Sequence, residues 1–181
     1  MDKTKQISIP LSKTKLTLLL IGSIAFVAGG IWMVTSPNGF TTSFRTYNPI
    51  WVFAVGLASI VFFGLCLIYI AKKLTDSAPG LVINDQGIND NSSGVSAGLI
   101  LWPDIQEIRM TEVVNQKFLM LIVSNPDHYI SRQTSFIKRK AMEINYWSYG
   151  SPISISANGL KTSFDELFVL LQNELNERKA D

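Results

Sequence analysis

The stretch GLILWPDIQEI, from Gly98 to Ile108, has the pattern of a water-facing β-sheet that turns a corner. An apolar strand runs into Trp102, Pro103 interrupts it, and Ile105 and Ile108 resume the apolar positions among polar neighbours. Because a large ring at the end of an apolar strand is most stable away from water, Trp102 and Ile105 are expected in the core of a β-rich domain.

Further strands are predicted on both sides of this corner. Runs of apolar and β-branched residues alternate with turn signals, among them Gln86-Gly87 and Asn115-Gln116. The predicted strands are 81–85, 87–90, 95–102, 105–114, 117–124 and 153–157. The segment 135–149 is predicted to be a helix that Gly150 ends.

The end of the chain carries a clear helix signal. Ser163 is a candidate N-cap, and Glu166 three residues later completes a capping box. The apolar stripe of this helix comprises Phe164, Leu167, Phe168, Leu171 and Leu175. Its first four members are expected in the core with Trp102 and Ile105. The sequence therefore predicts an α+β soluble domain over 81–178, closed by a C-terminal amphipathic helix.

Two uncharged apolar runs precede this domain, LTLLLIGSIAFVAGGIWMV at 16–34 and IWVFAVGLASIVFFGLCLIYIA at 50–71. A helix of about 20 residues crosses a bilayer core, so both are predicted to be transmembrane helices. Buried helices of a soluble protein are disfavoured because the rest of the chain is too small to cover them. A signal peptide is disfavoured because the first run is too long and no small-residue cleavage site follows.

The flanking cations predict the orientation of these spans. Lys3, Lys5, Lys13 and Lys15 precede the first span, Lys72 and Lys73 follow the second, and the loop between them holds only Arg45. Because cationic flanks stay in the cytoplasm, we expect a two-pass protein of the cell membrane with both termini cytoplasmic. The predicted order is an N-terminal segment 1–15, the first span, an external loop 35–49, the second span and a linker 72–80.

The charge distribution argues against nucleic acid as a partner. Residues 1–73 carry seven of the 16 basic residues and one of the 14 acidic residues, a net charge of +6. The remaining residues carry nine and 13, a net charge of −4. The excess positive charge therefore lies beside the membrane, and the soluble domain lacks the basic footprint that nucleic-acid binding needs.

No catalytic, metal or cofactor motif is present in the sequence. Cys66 and His128 are the only residues of their types, so neither a disulfide nor a metal centre is expected. Asp104, Glu107 and Glu112 are carboxylates on predicted strands, with no base or metal set beside them. We therefore expect a protein that is not an enzyme and has no cofactor; a membrane-associated enzyme or an immunity or envelope-stress protein is the alternative.

Several segments together resemble a known family. The segments are ISIPLSKTK, PGLVINDQGI, GLILWPDI, YGSPISIS and FDELFVLL. Combined with two spans, they are similar to an uncharacterised family of small bacterial membrane proteins in which two N-terminal spans precede a PH-like domain. The resemblance implies a location in the inner membrane and a PH-like antiparallel β-barrel or sandwich. PH-like folds host lipid binding, peptide binding and scaffolding, so the fold alone selects none of these.

One basic cluster stands out as a candidate surface for contact with the membrane. It comprises Arg132, Lys138, Arg139 and Lys140, and near a bilayer each cation would attract anionic lipid. The alternative is an ordinary solvated helix face. Lipid-binding PH domains place cations at the first hairpin, but this chain has Asp85 and Asp90 there.

Aromatic residues accompany the basic cluster on the predicted helix. Phe136, Trp147 and Tyr146 or Tyr149 would either enter the lipid interface or fill the core, and the sequence leaves both open. We therefore predict a membrane-tethered PH-like interaction module that docks the inner leaflet or a protein partner. Its partners include the lipid bilayer, with anionic lipid as a candidate; its oligomeric state stays open.

Overall fold

The computed structural model describes residues 6–40 and 47–180. The chain forms two compact units: one is Lys13–Ser77, and the other joins Met1–Ser12 to Ala78–Asp181. Residues 1–5, 41–46 and 181 lie outside the described residues, so the predictions for Lys3, Lys5 and Arg45 fall there.

The first unit is a helical hairpin. Helix α1 (Lys13–Thr35) leads through a 3-10 turn at Pro37–Phe40 towards helix α2 (Pro49–Thr75), and each predicted span lies within one of these helices. Asn48 caps α2 by accepting a hydrogen bond of 2.9 Å from the backbone N–H of Ile50. Both helices are long and apolar enough to cross a membrane.

The apolar surface of the hairpin is not covered by protein. In the most apolar 18 residues of each helix only 11% are buried. Leu18, Trp51 and Leu65 are among the large side chains left exposed. A soluble core helix would be mostly buried, so this exposure disfavours that alternative and is compatible with contact with lipid.

The two helices approach closely at a pair of glycines. A Cβ atom on Gly30 would lie 2.8 Å from the carbonyl oxygen of Gly56, and a Cβ on Gly56 would lie 2.8 Å from that of Gly30. Nearby, the hydroxyl of Ser59 donates a hydrogen bond of 3.1 Å to the carbonyl oxygen of Phe26 on the other helix. Small residues thus allow the backbones to meet, as is typical of membrane helix pairs.

The second unit contains a four-stranded antiparallel sheet that begins before the hairpin. Strand β1 (Ile7–Ile9) pairs with β2 (Leu81–Ile83), which pairs with β3 (Gly87–Asp90), which pairs with β4 (Gly98–Leu101). The sequence predicts a separate N-terminal segment over 1–15 and a domain that begins at residue 81. The structure instead makes this segment part of the domain, so the domain is interrupted by the hairpin.

Residues 10–12 extend this attachment to the domain. The backbone N–H of Lys161 donates to the carbonyl oxygen of Pro10 at 2.9 Å, and that of Ser12 donates to Gly159 at 2.8 Å. Leu11 packs at Gly80, where any larger residue would collide with Leu11 and with Leu160. The domain is therefore ordered up to the residue that precedes α1.

The second sheet follows the predicted corner. A 3-10 turn at Trp102–Asp104 separates β4 from β5 (Ile105–Val113), which pairs with β6 (Gln116–Val123), which pairs with β7 (Ile153–Ile155). In the described part of the chain the two sheets remain separate. The α+β class is confirmed; of the predicted barrel or sandwich, the closed barrel is not shown, because the two sheets do not join over the described residues.

Three helices complete the domain: α3 (Pro126–Ser131), α4 (Phe136–Tyr149) and α5 (Phe164–Ala180). The capping box of α5 forms as the sequence indicates. The N–H of Glu166 donates to the Ser163 hydroxyl at 3.3 Å, and the N–H of Ser163 donates to the Glu166 carboxylate at 2.9 Å. The hydrogen bond from the backbone N–H of Ser163 to the Glu166 carboxylate is the main cause that lowers the pKa of Glu166.

The residues of the apolar stripe of α5 differ in how deeply they are buried. Leu167 and Leu171 are fully buried, whereas Phe164 and Phe168 are half-buried and stack with their ring centroids 6.4 Å apart. The two leucines therefore lie in the core, and the two phenylalanines cover its edge.

Trp102 is the centre of a cluster that joins α5 to the first sheet. Its side chain is 6% exposed, and its indole N–H donates to the carbonyl oxygen of Asn84 at 2.8 Å. The guanidinium of Arg178 lies over the ring at 4.5 Å and also pairs with the buried carboxylate of Glu174 at 2.5 Å. Ile105, 3% exposed, follows in the same core.

Replacing Trp102 by alanine is expected to destabilise the domain by about 3–5 kcal/mol, because a large buried ring and its hydrogen bond are lost. The matched control is Trp147→Ala, at a ring that is 87% exposed, with an expected change within about 0.5 kcal/mol. Denaturant unfolding of the full chain in detergent, followed by near-ultraviolet circular dichroism, measures both. Equal effects would contradict the burial of Trp102.

Strand β1 is expected to be necessary for a stable domain. Replacing Lys13–Ser77 by a short Gly/Ser linker keeps β1, whereas the fragment 78–181 lacks it and exposes the surface that Ile9 and Leu11 bury. We expect the fragment to be less stable by about 3–6 kcal/mol, the contribution of two buried aliphatic side chains. Thermal unfolding compares the two proteins, and equal melting temperatures would show that β1 is dispensable.

Candidate functional site

Helix α4 carries three of the four cations of the predicted cluster in its first two turns. The helix begins after Ser135, whose hydroxyl accepts a hydrogen bond from the N–H of Lys138 at 3.5 Å. It ends at Gly150, whose φ of +77° is the left-handed conformation that glycine adopts at helix ends. The caps thus set α4 as a defined helix on the surface of the domain.

Few residues of α4 are buried against the rest of the domain. Met142 is the one residue of this helix that is fully buried. Asn145 donates a hydrogen bond of 3.1 Å to the hydroxyl of Ser154 on β7, and Tyr149 is half-buried. Lys138 lies four residues before Met142 and is half-buried, so it belongs to the inner side.

The outer side of α4 is apolar and exposed. Phe136 is 75% exposed, Ile137 78%, Ile144 57% and Trp147 87%. At about 100° per residue these four side chains fall within one arc of about 100°, opposite Met142. We call this set the outer face of α4. The choice that the sequence left open for Phe136 and Trp147 is therefore decided against the core.

Two cations border or enter the outer face. Lys140 lies between Phe136 and Ile144 along the helix, and its ammonium group pairs with the Glu143 carboxylate at 2.8 Å. Arg139 is exposed at the edge of the face and donates a hydrogen bond of 3.3 Å to the carbonyl oxygen of Gln133. Two cations and one carboxylate therefore lie beside the exposed aromatic rings of this face.

Arg132, the fourth cation of the predicted cluster, is bound to the first sheet. Its guanidinium donates hydrogen bonds of 2.5 Å to the carbonyl oxygens of Ala97 and Leu99, at the outer edge of the first sheet. It also stacks at 4.4 Å over the ring of Tyr129. Arg132 caps the free edge of β4, where unpaired backbone groups would otherwise face solvent.

Tyr129 completes this cap. Its hydroxyl accepts a hydrogen bond from the N–H of Leu101 at 3.2 Å and donates one of 2.6 Å to the carboxylate of Asp104. Asp104 also accepts a hydrogen bond of 3.2 Å from the Asn125 side chain. Burial, and then the bond to Asp104, raise the pKa of Tyr129 to about 12. Asp104 thus has a structural role at the corner.

The other carboxylates weighed as catalytic candidates are not brought together. Glu107 pairs with Arg109 at 2.8 Å on the exposed side of β5, and this hydrogen bond lowers the pKa of Glu107. Glu112 is exposed farther along the same strand. Among residues 6–40 and 47–180, no three His, Cys, Asp or Glu side chains group closely enough to hold a metal ion.

The first hairpin of the domain uses its acidic residues internally. Asp85 lies 3.8 Å from the guanidinium of Arg178. Asp90 is buried, and its carboxylate accepts hydrogen bonds from the N–H and hydroxyl of Ser92 and from the N–H of Ala97. These contacts stabilise the β2–β3 turn and the loop before β4.

A small cavity lies between α4 and the second sheet. Its volume is about 130 Å³, and it is lined by Val113, Phe118, Met120, Asn145, Tyr149 and Ser154. The lining is mainly apolar, with the Asn145 to Ser154 hydrogen bond at one side. Such a volume is below that of ordinary ligand pockets.

Comparison with known proteins found no match: no family model, curated protein or solved structure matches the chain.

The sequence gives no signal that Ile137 and Ile144 belong to the site. Ile137 follows Phe136 and Ile144 lies between Glu143 and Asn145, and apolar residues in either setting are often part of a core. Their joint exposure with Phe136 and Trp147 depends on how α4 packs on β7, which the sequence pattern does not contain.

Tyr129→Phe is expected to destabilise the domain by about 1–3 kcal/mol, because the N–H of Leu101 and the Asp104 carboxylate each lose a partner. The two proteins are also expected to differ in how their stability changes with pH. The unfolded tyrosine loses its proton at a lower pH than the buried one, so above about pH 10 the unfolded state binds fewer protons and stability falls. Denaturant unfolding should show a smaller alkaline decrease in Tyr129→Phe than in the wild type; parallel decreases would contradict this.

Proposed function

We propose that the protein is a membrane-tethered interaction module, with two transmembrane helices and a cytoplasmic domain whose docking surface is the outer face of α4. The observation that carries this proposal is the pairing of β1 with β2. Strand β1 precedes the hairpin and β2 follows it, so both ends of the hairpin enter one domain. If α1 and α2 span a bilayer, the two flanks lie on the same side.

The cation pattern and the strand pairing support the same topology independently. The lysines at 13, 15, 72 and 73 flank the two ends of the hairpin that meet the domain. Because cationic flanks remain cytoplasmic, this side is the cytoplasm, and the protein is a two-pass component of the inner membrane of a bacterium.

The connections between the hairpin and the domain are short, so a hairpin in the membrane would hold the domain close to the membrane surface. Ser12 is hydrogen-bonded within the domain, and α1 begins at the next residue. At the other side only 76–80 separate α2 from β2. A domain held in this way meets any target at the membrane surface at a high effective concentration.

The domain is proposed to be PH-like in its fold family. Two antiparallel sheets followed by a C-terminal helix are consistent with that proposal, and so is the bend at Trp102 between the sheets. An interaction role is favoured over an enzyme because the described carboxylates, Asp104, Glu107 and Glu112, have structural partners or stand apart.

Cysteine labelling in intact cells tests the topology. In a Cys66→Ala background, Asn38→Cys lies in the loop between the helices and should react with a membrane-impermeant maleimide added outside. Asn173→Cys, exposed on α5, is the matched control and should react only after lysis. Labelling of position 173 in intact cells, or of neither position before lysis, would contradict the proposed orientation.

A further inference from the structure

We propose that the outer face of α4 inserts into the anionic lipid surface of the same membrane that holds the hairpin. The inference rests on the proposed function, since it assumes the tethered topology, and it names the occupant of the docking surface. Phe136, Ile137, Ile144 and Trp147 are the side chains that enter the interface, and Arg139 and Lys140 are the cations that meet the headgroups.

The residue types of this face suit a bilayer interface. Trp147 and Phe136 are aromatic rings of the kind that settle at the headgroup level, and Ile137 and Ile144 add aliphatic surface beside them. Lys140 lies among them with a long aliphatic stem, so its charged end can reach the headgroups while the stem remains in apolar surroundings. A helix lying in the plane of the interface accounts for an apolar side that the domain itself does not bury.

The tether favours lipid over a soluble protein as the occupant. Because Ser12 belongs to the domain and Lys13 begins α1, the domain cannot move far from the bilayer. The solvent-exposed apolar face of such a domain therefore meets lipid at a high effective concentration at all times. The cations of α4 add attraction to anionic lipid, the charge that the inner leaflet carries.

The strength expected of this contact explains why the tether matters. Each cation near an anionic surface strengthens attachment about fivefold, so Arg139 and Lys140 together contribute at most about 25-fold, since the Glu143 carboxylate offsets part of the charge of Lys140. This electrostatic attraction alone is too weak to recruit the domain from solution, but together with the four apolar side chains it can orient a domain that is already at the surface.

A depth measurement on the full chain tests the proposal. In the Cys66→Ala background, Ser148→Cys places a single thiol at the border of the outer face and leaves its four apolar side chains unchanged. The thiol is labelled with a polarity-sensitive fluorophore, and the protein is reconstituted in nanodiscs containing phosphatidylcholine that is spin-labelled near the headgroup. Asn173→Cys on α5 is the matched control position.

We expect strong lipid quenching of the probe at position 148 in nanodiscs with phosphatidylglycerol, weaker quenching in pure phosphatidylcholine, and little quenching at position 173 in either. Trp147→Ser should lower the docked population about tenfold, the effect of removing one large apolar group from the interface. Arg139→Gln should lower it about fivefold in anionic nanodiscs. Lys138→Gln, the same charge change on the inner side of α4, should have a clearly smaller effect.

Three outcomes would overturn the proposal. They are equal quenching at positions 148 and 173, quenching at 148 that neither anionic lipid nor Trp147→Ser alters, and shielding of the probe at 148 from both spin-labelled lipid and aqueous iodide. The last outcome would assign the face to a protein partner or a second copy. None of them bears on the cysteine labelling at positions 38 and 173, so failure of lipid docking is distinguishable from failure of the tethered topology.

Discussion

Antiparallel pairing between Ile7–Ile9 and Leu81–Ile83 is the constraint on which the rest of the structure depends. It requires that the two ends of Lys13–Ser77 come together before the first sheet is complete. Closing a long flexible loop carries an entropic cost, and a preformed helical hairpin lowers it by holding its own ends close. The contact of Gly30 with Gly56 therefore supports a sheet in the other unit, through chain connectivity alone.

The corner at Trp102 connects the first sheet to helix α5, although the two described sheets do not close into a barrel. The ring is held on one side by the Asn84 carbonyl and on the other by Arg178, whose charge is balanced by Glu174. A buried carboxylate is costly unless it is paired, so Glu174 and Arg178 are stable only together. At the opposite edge, Arg132 and Tyr129 provide β4 with partners that a neighbouring strand would supply in a closed barrel.

Features with strong local signals could be predicted from the sequence. The spans follow from uncharged length, the capping box from Ser163 and Glu166, and the corner from Pro103. Strand β1 is not predicted, although Ile7–Ile9 alternates as a strand does, because it is short and its partner lies beyond both apolar runs. Helix α3 was missed because Asn125-Pro126 ends a strand as well as it begins a helix.

The interrupted order of the domain also has a consequence for biosynthesis. Strand β1 is made before the hairpin and β2 after it, so at about 5–20 residues per second several seconds separate their synthesis. During that interval the β1 segment has no partner strand, and in the proposed topology it stays on the cytoplasmic side of the membrane. If the hairpin spans a membrane as proposed, β1 and β2 can pair only when both helices have inserted in the proposed sense, because the opposite sense for one helix would leave the two strands in different compartments.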